Sequence, residues 1–175
     1  MLSQIPNILS LLRIGLGLLL PFAPQSWWLA LIIAGGLTDF LDGWVARRWH
    51  LTSWQGALLD GFADKFFMLI ALVTVARGGY FSLLWLPPIL ARDILVLFAA
   101  LHGLYHRSWE TFKRVPARIP GKVTTAGQFL LLAVALVWPG GLLVAFFLAL
   151  AVAASLLAAF DYGRLFYLEV TAPKG

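Results

Sequence analysis

Apolar residues recur along the chain in long stretches separated by short clusters of polar or turn-forming residues. The stretches are Asn7 to Phe22, Trp27 to Arg47, Gln55 to Val75, Phe81 to Tyr105, Gly121 to Trp138 and Leu142 to Tyr162. Each is close to the ~20 residues an α-helix needs to cross the hydrocarbon core of a bilayer, so the pattern predicts about six membrane-spanning helices. The breaks carry turn chemistry: PFAPQS, RGGY and WPGG are rich in Pro and Gly, and HLTS offers Thr52 or Ser53 as N-cap of the third helix. There is no internal repeat or low-complexity segment, and six spans use nearly the whole length. Residues 1–175 therefore read as one all-α polytopic membrane domain.

Composition strengthens this reading. The chain has 175 residues, 61% of them hydrophobic, and a mean hydropathy of +0.88, far above a soluble domain of this size. No basic region precedes the first apolar run, and Arg13 interrupts it, which argues for a retained span over a cleaved signal peptide. The absence of cysteine excludes disulfides and thiolate metal sites. Arg47, Arg48, Arg107, Lys113, Arg114, Arg118 and Lys122 fall in two alternate connections, while the opposite side offers little beyond Arg77. By the positive-inside bias both termini are expected in the cytoplasm. A net charge of +5 and a pI near 10.0 usually invite a nucleic-acid reading. Here the excess lies beside membrane spans, which points to anionic lipid headgroups and phosphorylated substrates, with no nucleic acid.

The stretch GGLTDFLDGWVARR puts Asp39 and Asp42 at the end of an apolar run. Carboxylates there are costly and mark a functional site when a partner can be named. At 100° per residue, Gly35, Asp39, Asp42, Gly43 and Ala46 form one stripe with Arg47 at its edge, a composition that lets a bulky ligand approach the backbone. In GALLDGFADK, Gly56, Asp60 and Asp64 recur every four residues on the third helix. Only RWHLTS joins the two helices, so they are expected to be antiparallel neighbours that bring the four aspartates together near one membrane face. Four carboxylates cannot stay ionised side by side in a low-dielectric site without cations. An all-oxygen donor set selects hard divalent ions, Mg²⁺, Mn²⁺ or Ca²⁺, and two of them would balance four aspartates. Metals held by carboxylates, next to small residues and a phosphate-pairing Arg, describe a phosphoryl-transfer site. The plain alternative is ion pairing of these acids with Arg47, Arg48 and Lys65.

From Asp39 to Asp64 the spacing is D-x2-D-G-x2-A-R-x8-G-x3-D-x3-D. Eight fixed positions at ordinary residue frequencies match by chance roughly once in 10⁹ tries. The motif resembles the signature of the CDP-alcohol phosphatidyltransferase family. That resemblance implies a six-helix membrane enzyme, usually a homodimer, with its active site near the cytoplasmic face. It would move a phosphatidyl or related group from a CDP-linked donor such as CDP-diacylglycerol to a hydroxyl, with release of CMP. It further implies that Asp39, Asp42, Asp60 and Asp64 hold two divalent metals, with Asp60 bridging. Asp39, Gly43, Ala46, Arg47 and Gly56 would receive the CDP donor, and Asp64 would also be the general base. The bacterial inner membrane is the expected location.

For the acceptor, PNILSLLRI, ARDILVL and GKVTTAGQ are similar to segments of phosphatidylglycerophosphate synthases and eukaryotic-type cardiolipin synthases. The first branch usually has Arg-Glu where this chain has Arg92-Asp93 and Lys where it has Thr124, and Gly61 replaces a proline common in that motif. Arg92, inside an apolar run, and Lys122, opening the next, are candidates for holding the acceptor phosphate, against an internal Arg92–Asp93 or Arg92–Asp64 ion pair. Glycerol 3-phosphate is the expected acceptor, with phosphatidylglycerol as the alternative. A divalent-cation transporter is the rival from another class, but it leaves the small-residue stripe and Arg47 without a task. His102 and His106 have zinc-compatible i, i+4 spacing yet no companion acid or cysteine, and the Trp near span ends suit interfacial belts. Gly15 and Gly17 are expected to serve helix packing.

Overall fold

The computed structural model describes residues 5–48, 54–105 and 119–171. Thr52 and Ser53, and the basic connection from His106 to Arg118, lie outside the described residues. All described secondary structure is helical: α1 (Ile5–Leu19), α2 (Gln25–Arg48), α3 (Trp54–Arg77), α4 (Leu86–Ile89), α5 (Ala91–Tyr105), α6 (Ile119–Val137) and α7 (Gly141–Thr171), with 3₁₀ turns at Leu20–Phe22 and Leu83–Trp85. Among the described residues, Gly141–Leu165 is the one helix both long and apolar enough to cross a membrane, at 25 residues and mean hydropathy 2.7. Asn7–Phe22 and Gly121–Val137 are shorter apolar helices. Helices α2 and α3 reach 24 residues each, but α2 carries Asp39 and Asp42 within its length and α3 carries Asp60, Asp64 and Lys65.

The helix stops follow the turn residues. Helix α3 ends in a Schellman arrangement: Gly79 takes φ +86°, its N–H donates to the Ala76 carbonyl at 3.0 Å, and the Tyr80 N–H donates to Val75 at 3.5 Å. A left-handed residue at that position is cheap only for glycine. Gly140 and Gly141, at φ +85° and +80°, are also left-handed where the chain turns between α6 and α7.

Two boundaries depart from the apolar pattern. The expected fourth span, Phe81 to Tyr105, is broken at Leu90, where φ −95° and ψ 3° end α4. Pro87 and Pro88 supply no N–H and cannot continue a helix from the preceding residues, so α4 starts at Leu86 with both prolines in its first turn. Arg92 and Asp93 consequently stand in the first turn of α5 and not deep inside a span, and the Asp93 carboxylate suits a helix N-terminus. In contrast, α7 runs nine residues past Tyr162 to Thr171, because nothing in that stretch except Gly163 opposes a helix.

The chain divides into two compact units, Met1–Leu83 with Leu132–Gly141, and Leu84–Leu131 with Leu142–Gly175. In the first, α1 packs along both α2 and α3, whose direct mutual contact is sparse among the described residues. Ala63, Phe67, Ala71 and Val75, with Met68 and Leu72 beside them, are buried and repeat at helical spacing on α3. Phe67 is the centre of this packing. Its ring fills the space where a Cβ on Gly35 of α2 would have to sit, and it lies 3.4 Å from the Cβ position of Gly17 on α1. In the second unit, α6 meets α7 where the Gly127 Cβ position is 3.9 Å from Ala151. Helix α5 meets α7 where that of Gly163 is 3.6 Å from Leu95.

Candidate active site

In the first unit, three helices bring charged groups together around Arg13. This residue, in the middle of α1, has a side chain with no solvent exposure, although a guanidinium stays charged in any protein environment. One of its nitrogens, Nη1, lies 3.2 Å from Asp39 Oδ1 on α2 and 3.0 Å from Asp60 Oδ1 on α3. Its Nε donates to Thr38 Oγ1 at 3.4 Å, and the Thr38 hydroxyl donates in turn to the Gly35 carbonyl at 2.7 Å. Asp39 and Asp60 keep 38% and 42% of their side-chain surface exposed, so one end of this polar group is open. One turn further along α3, Asp64 Oδ2 pairs with Lys65 Nζ at 3.4 Å. Its other oxygen, Oδ1, is buried without a hydrogen-bond partner.

The second unit holds a separate polar group. Arg92 Nη1 donates to Asp93 Oδ1 at 2.8 Å, and the guanidinium stands 5.3 Å from the centre of the Tyr162 ring, a cation–π distance. Gln128 of α6, fully buried, donates from Nε2 to Asp93 Oδ2 and to the Ile89 carbonyl, each at 3.1 Å. The break at Leu90 is what presents that carbonyl. The Arg92 backbone N–H donates to Ser155 Oγ at 3.2 Å. Arg92 Nε and Gln128 Oε1 are buried with no hydrogen-bond partner. Gly121 lies against Arg92, and a Cβ there would approach Nη2 to 2.5 Å and the Tyr162 hydroxyl to 3.2 Å.

A family profile described as CDP-alcohol phosphatidyltransferase matches residues 3–158. The chain belongs to the CDP-alcohol phosphatidyltransferase family. It is 36% identical over 148 residues to the CDP-diacylglycerol--glycerol-3-phosphate 3-phosphatidyltransferase of Pectobacterium atrosepticum, covering 77% of each chain. The protein of the same name from Escherichia coli K12 is 34% identical over 146 residues, 74% of this chain and 75% of that one. Human cardiolipin synthase (CMP-forming) is 31% identical over 153 residues, 77% of this chain and 50% of its own length. No solved structure matches.

Among the family's signature positions, the structure joins Asp39 to Asp60 through Arg13 and sets Asp64 on the same helix as Asp60. Asp42, Gly43, Ala46 and Arg47 lie on α2, but their side-chain surroundings fall outside the described residues. Gly56 is half-buried on α3. Gly35 belongs to the small-residue stripe by spacing, yet its missing side chain makes room for Phe67. The stripe therefore does not run uniformly as a ligand surface, because at its buried end helix packing uses the space. Gly17 serves helix packing as expected, whereas nothing stands within 4 Å of a Cβ built on Gly15. In the second unit Arg92 makes the internal ion pair with Asp93, and Lys122 is exposed. His102 and His106 fall outside the described side chains.

Sequence reasoning missed Arg13, Thr38 and Gln128. A signal for Arg13 was present, since a basic residue amid IPNILSLLRIGLGLL must find an internal partner. Thr38 and Gln128 carry no such signal. For divalent ions, the buried unpartnered Oδ1 of Asp64 and the all-oxygen character of the site fit a hard cation. Among the described residues, however, no three His, Cys, Asp or Glu side chains converge as a metal-binding group.

Proposed function

We propose that this protein transfers the phosphatidyl group of CDP-diacylglycerol to a hydroxyl of glycerol 3-phosphate, with release of CMP, within a membrane. The observation that carries the reading is the match to enzymes named for this reaction at 34–38% identity over about three quarters of both chains. The membrane setting draws support from large apolar side chains left facing outward, among them Leu142, Leu84, Phe160 and Leu157, in numbers a monomeric soluble protein rarely exposes. Six spans, cytoplasmic termini in a bacterial inner membrane and a homodimer complete the proposal.

Asp39, Asp42, Asp60 and Asp64 would hold two divalent ions, Mg²⁺ or Mn²⁺ with Ca²⁺ as a further occupant. Bound there, such ions would neutralise the pyrophosphate of the donor and the charge that builds on CMP as it leaves. The residues of the chain do the rest. Gly43, Ala46, Arg47 and Gly56 admit and orient the CDP moiety. Asp64, with its unpartnered buried oxygen, takes the proton of the acceptor hydroxyl. That hydroxyl oxygen forms a bond to the phosphorus bearing the diacylglycerol, and the bond from this phosphorus to the CMP oxygen breaks. Arg92 and Lys122 bind the acceptor phosphate, with Arg92 already oriented by Asp93 and Tyr162.

The 31% identity to a cardiolipin synthase favours phosphatidylglycerol as a second acceptor. Purified protein, CDP-diacylglycerol, Mg²⁺ or Mn²⁺ and each acceptor in turn, with lipid products identified by mass, test both readings. Phosphatidylglycerophosphate with CMP is the expected product. Cardiolipin alone would transfer the assignment to the second acceptor, and failure to release CMP with any acceptor would overturn the transferase reading. The cation-transporter alternative gains no support from a family of enzymes.

A further inference from the structure

The contacts of Arg13 point to a role distinct from substrate binding. Its side chain is buried completely, so its charge has been placed in the protein interior and must be compensated there. Among the described residues that compensation includes two carboxylates on different helices that share a single guanidinium nitrogen. Sharing one atom caps the separation of Asp39 Oδ1 and Asp60 Oδ1 at the sum of two ion-pair distances. Helices α2 and α3 approach each other at few points among the described residues, one of them Gly35 against Phe67, while α1 packs on both. The guanidinium is itself oriented: Nε bonds Thr38 Oγ1, and the Thr38 hydroxyl is committed to the Gly35 carbonyl. Gly35 is in turn held against α3 by Phe67. A chain of fixed groups thus runs from the interhelical packing to the two carboxylates.

We infer that Arg13 is a positioning residue that holds Asp39 and Asp60 at a set separation, with one oxygen of each tied, so that the carboxylates are preorganised for divalent-cation binding. This rests on the metal-binding part of the function proposed above. The opposing possibility is that Arg13 is merely a counter-ion competing with the metal for the same carboxylates. The two differ in sign: removing a positioning group weakens metal binding, and removing a competing charge tightens it.

The test is Mn²⁺ binding to the full-length purified protein without nucleotide or acceptor, followed by the electron paramagnetic resonance signal of free Mn²⁺. Thermal unfolding in chelator is recorded in parallel. Arg13→Gln is expected to weaken Mn²⁺ binding at least tenfold. Arg13→Lys keeps a cation able to reach both carboxylates but lacks the Nε bond to Thr38, and should fall between Arg13→Gln and the unaltered protein. Thr38→Val keeps the charge and the side-chain shape while removing the acceptor of Nε, and should weaken binding severalfold with unfolding in chelator nearly unchanged. It also serves if Arg13→Gln does not fold. Unchanged or tighter Mn²⁺ binding in Arg13→Gln, or in Thr38→Val where that variant is the one available, overturns the inference while leaving the metal site standing. If the unaltered protein binds no Mn²⁺, the metal reading and the inference fall together.

Discussion

Gln128 connects the broken helix to the Arg92–Asp93 pair, and replacing it with Leu, of similar volume, isolates that connection. The change removes two hydrogen bonds from a fully buried amide, one to a carboxylate and one to the Ile89 carbonyl. A bond to a charged group contributes about 1.5–3 kcal/mol and a neutral one about 0.5–1.5 kcal/mol. The gain from removing the unpartnered Oε1 offsets about 1–3 kcal/mol of this, the usual penalty for such an atom. Taking the middle of each range, a net loss of about 1 kcal/mol follows, worth a fall of roughly 2–4 °C in unfolding midpoint for a chain of this size. With one Asp93 oxygen no longer held, Arg92 loses its fixed orientation, so the acceptor KM should rise severalfold while the KM for CDP-diacylglycerol stays nearly constant. Thermal unfolding in detergent and steady-state kinetics with each substrate varied in turn are the assays. An unchanged midpoint together with an unchanged acceptor KM would refute the reasoning. A rise confined to the donor KM would assign Arg92 to the nucleotide pyrophosphate.

The other expectations concern both units. Asp39→Asn, Asp42→Asn and Asp60→Asn should each abolish turnover and divalent-cation binding, because an amide keeps the shape and loses the charge, and Asp39→Asn and Asp60→Asn should also lower the unfolding midpoint, because each removes a carboxylate paired with buried Arg13; full activity of any of them in excess chelator would count against the metal reading. Asp64→Asn should lower kcat far more than donor affinity, and a loss seen wholly as weaker donor or metal binding would make Asp64 a ligand only. Arg92→Ala and Lys122→Ala should each raise the acceptor KM about tenfold or more, from the value of a charge-assisted bond to an anion; equal use of myo-inositol and glycerol 3-phosphate by the unaltered enzyme would remove the basis for a phosphate site. Gly35→Ala forces a methyl group into the space of the Phe67 ring and should destabilise the fold by about 1–3 kcal/mol, while Gly15→Ala, with nothing nearby, should not; equal unfolding midpoints for the two variants would contradict the packing described.

The helical class, most helix limits and the family were legible in the sequence, because they depend on local quantities. Apolar periodicity, Pro and Gly at the breaks, and fixed spacing between acids on one helix face all survive without knowledge of neighbours. The double proline at Pro87 and Pro88 also carried a local warning that Phe81 to Tyr105 is not one helix, since a new helix starts at Leu86, which the apolar average across that stretch concealed. Periodicity assigns residues to a face of their own helix, but it does not say which face of which helix that face will meet. Only the tertiary structure made α1 the element packed on both α2 and α3, turned Arg13 from an interruption in an apolar run into the link between Asp39 and Asp60, and gave the space at Gly35 to Phe67. The same limit applied to Gln128, whose neutral amide has no unusual spacing and acquires its role only where α6 meets the buried carbonyl of Ile89 and the carboxylate of Asp93. Long-range contacts of this kind arise from the joint packing of whole helices, in which each buried charge must find its partner on another element.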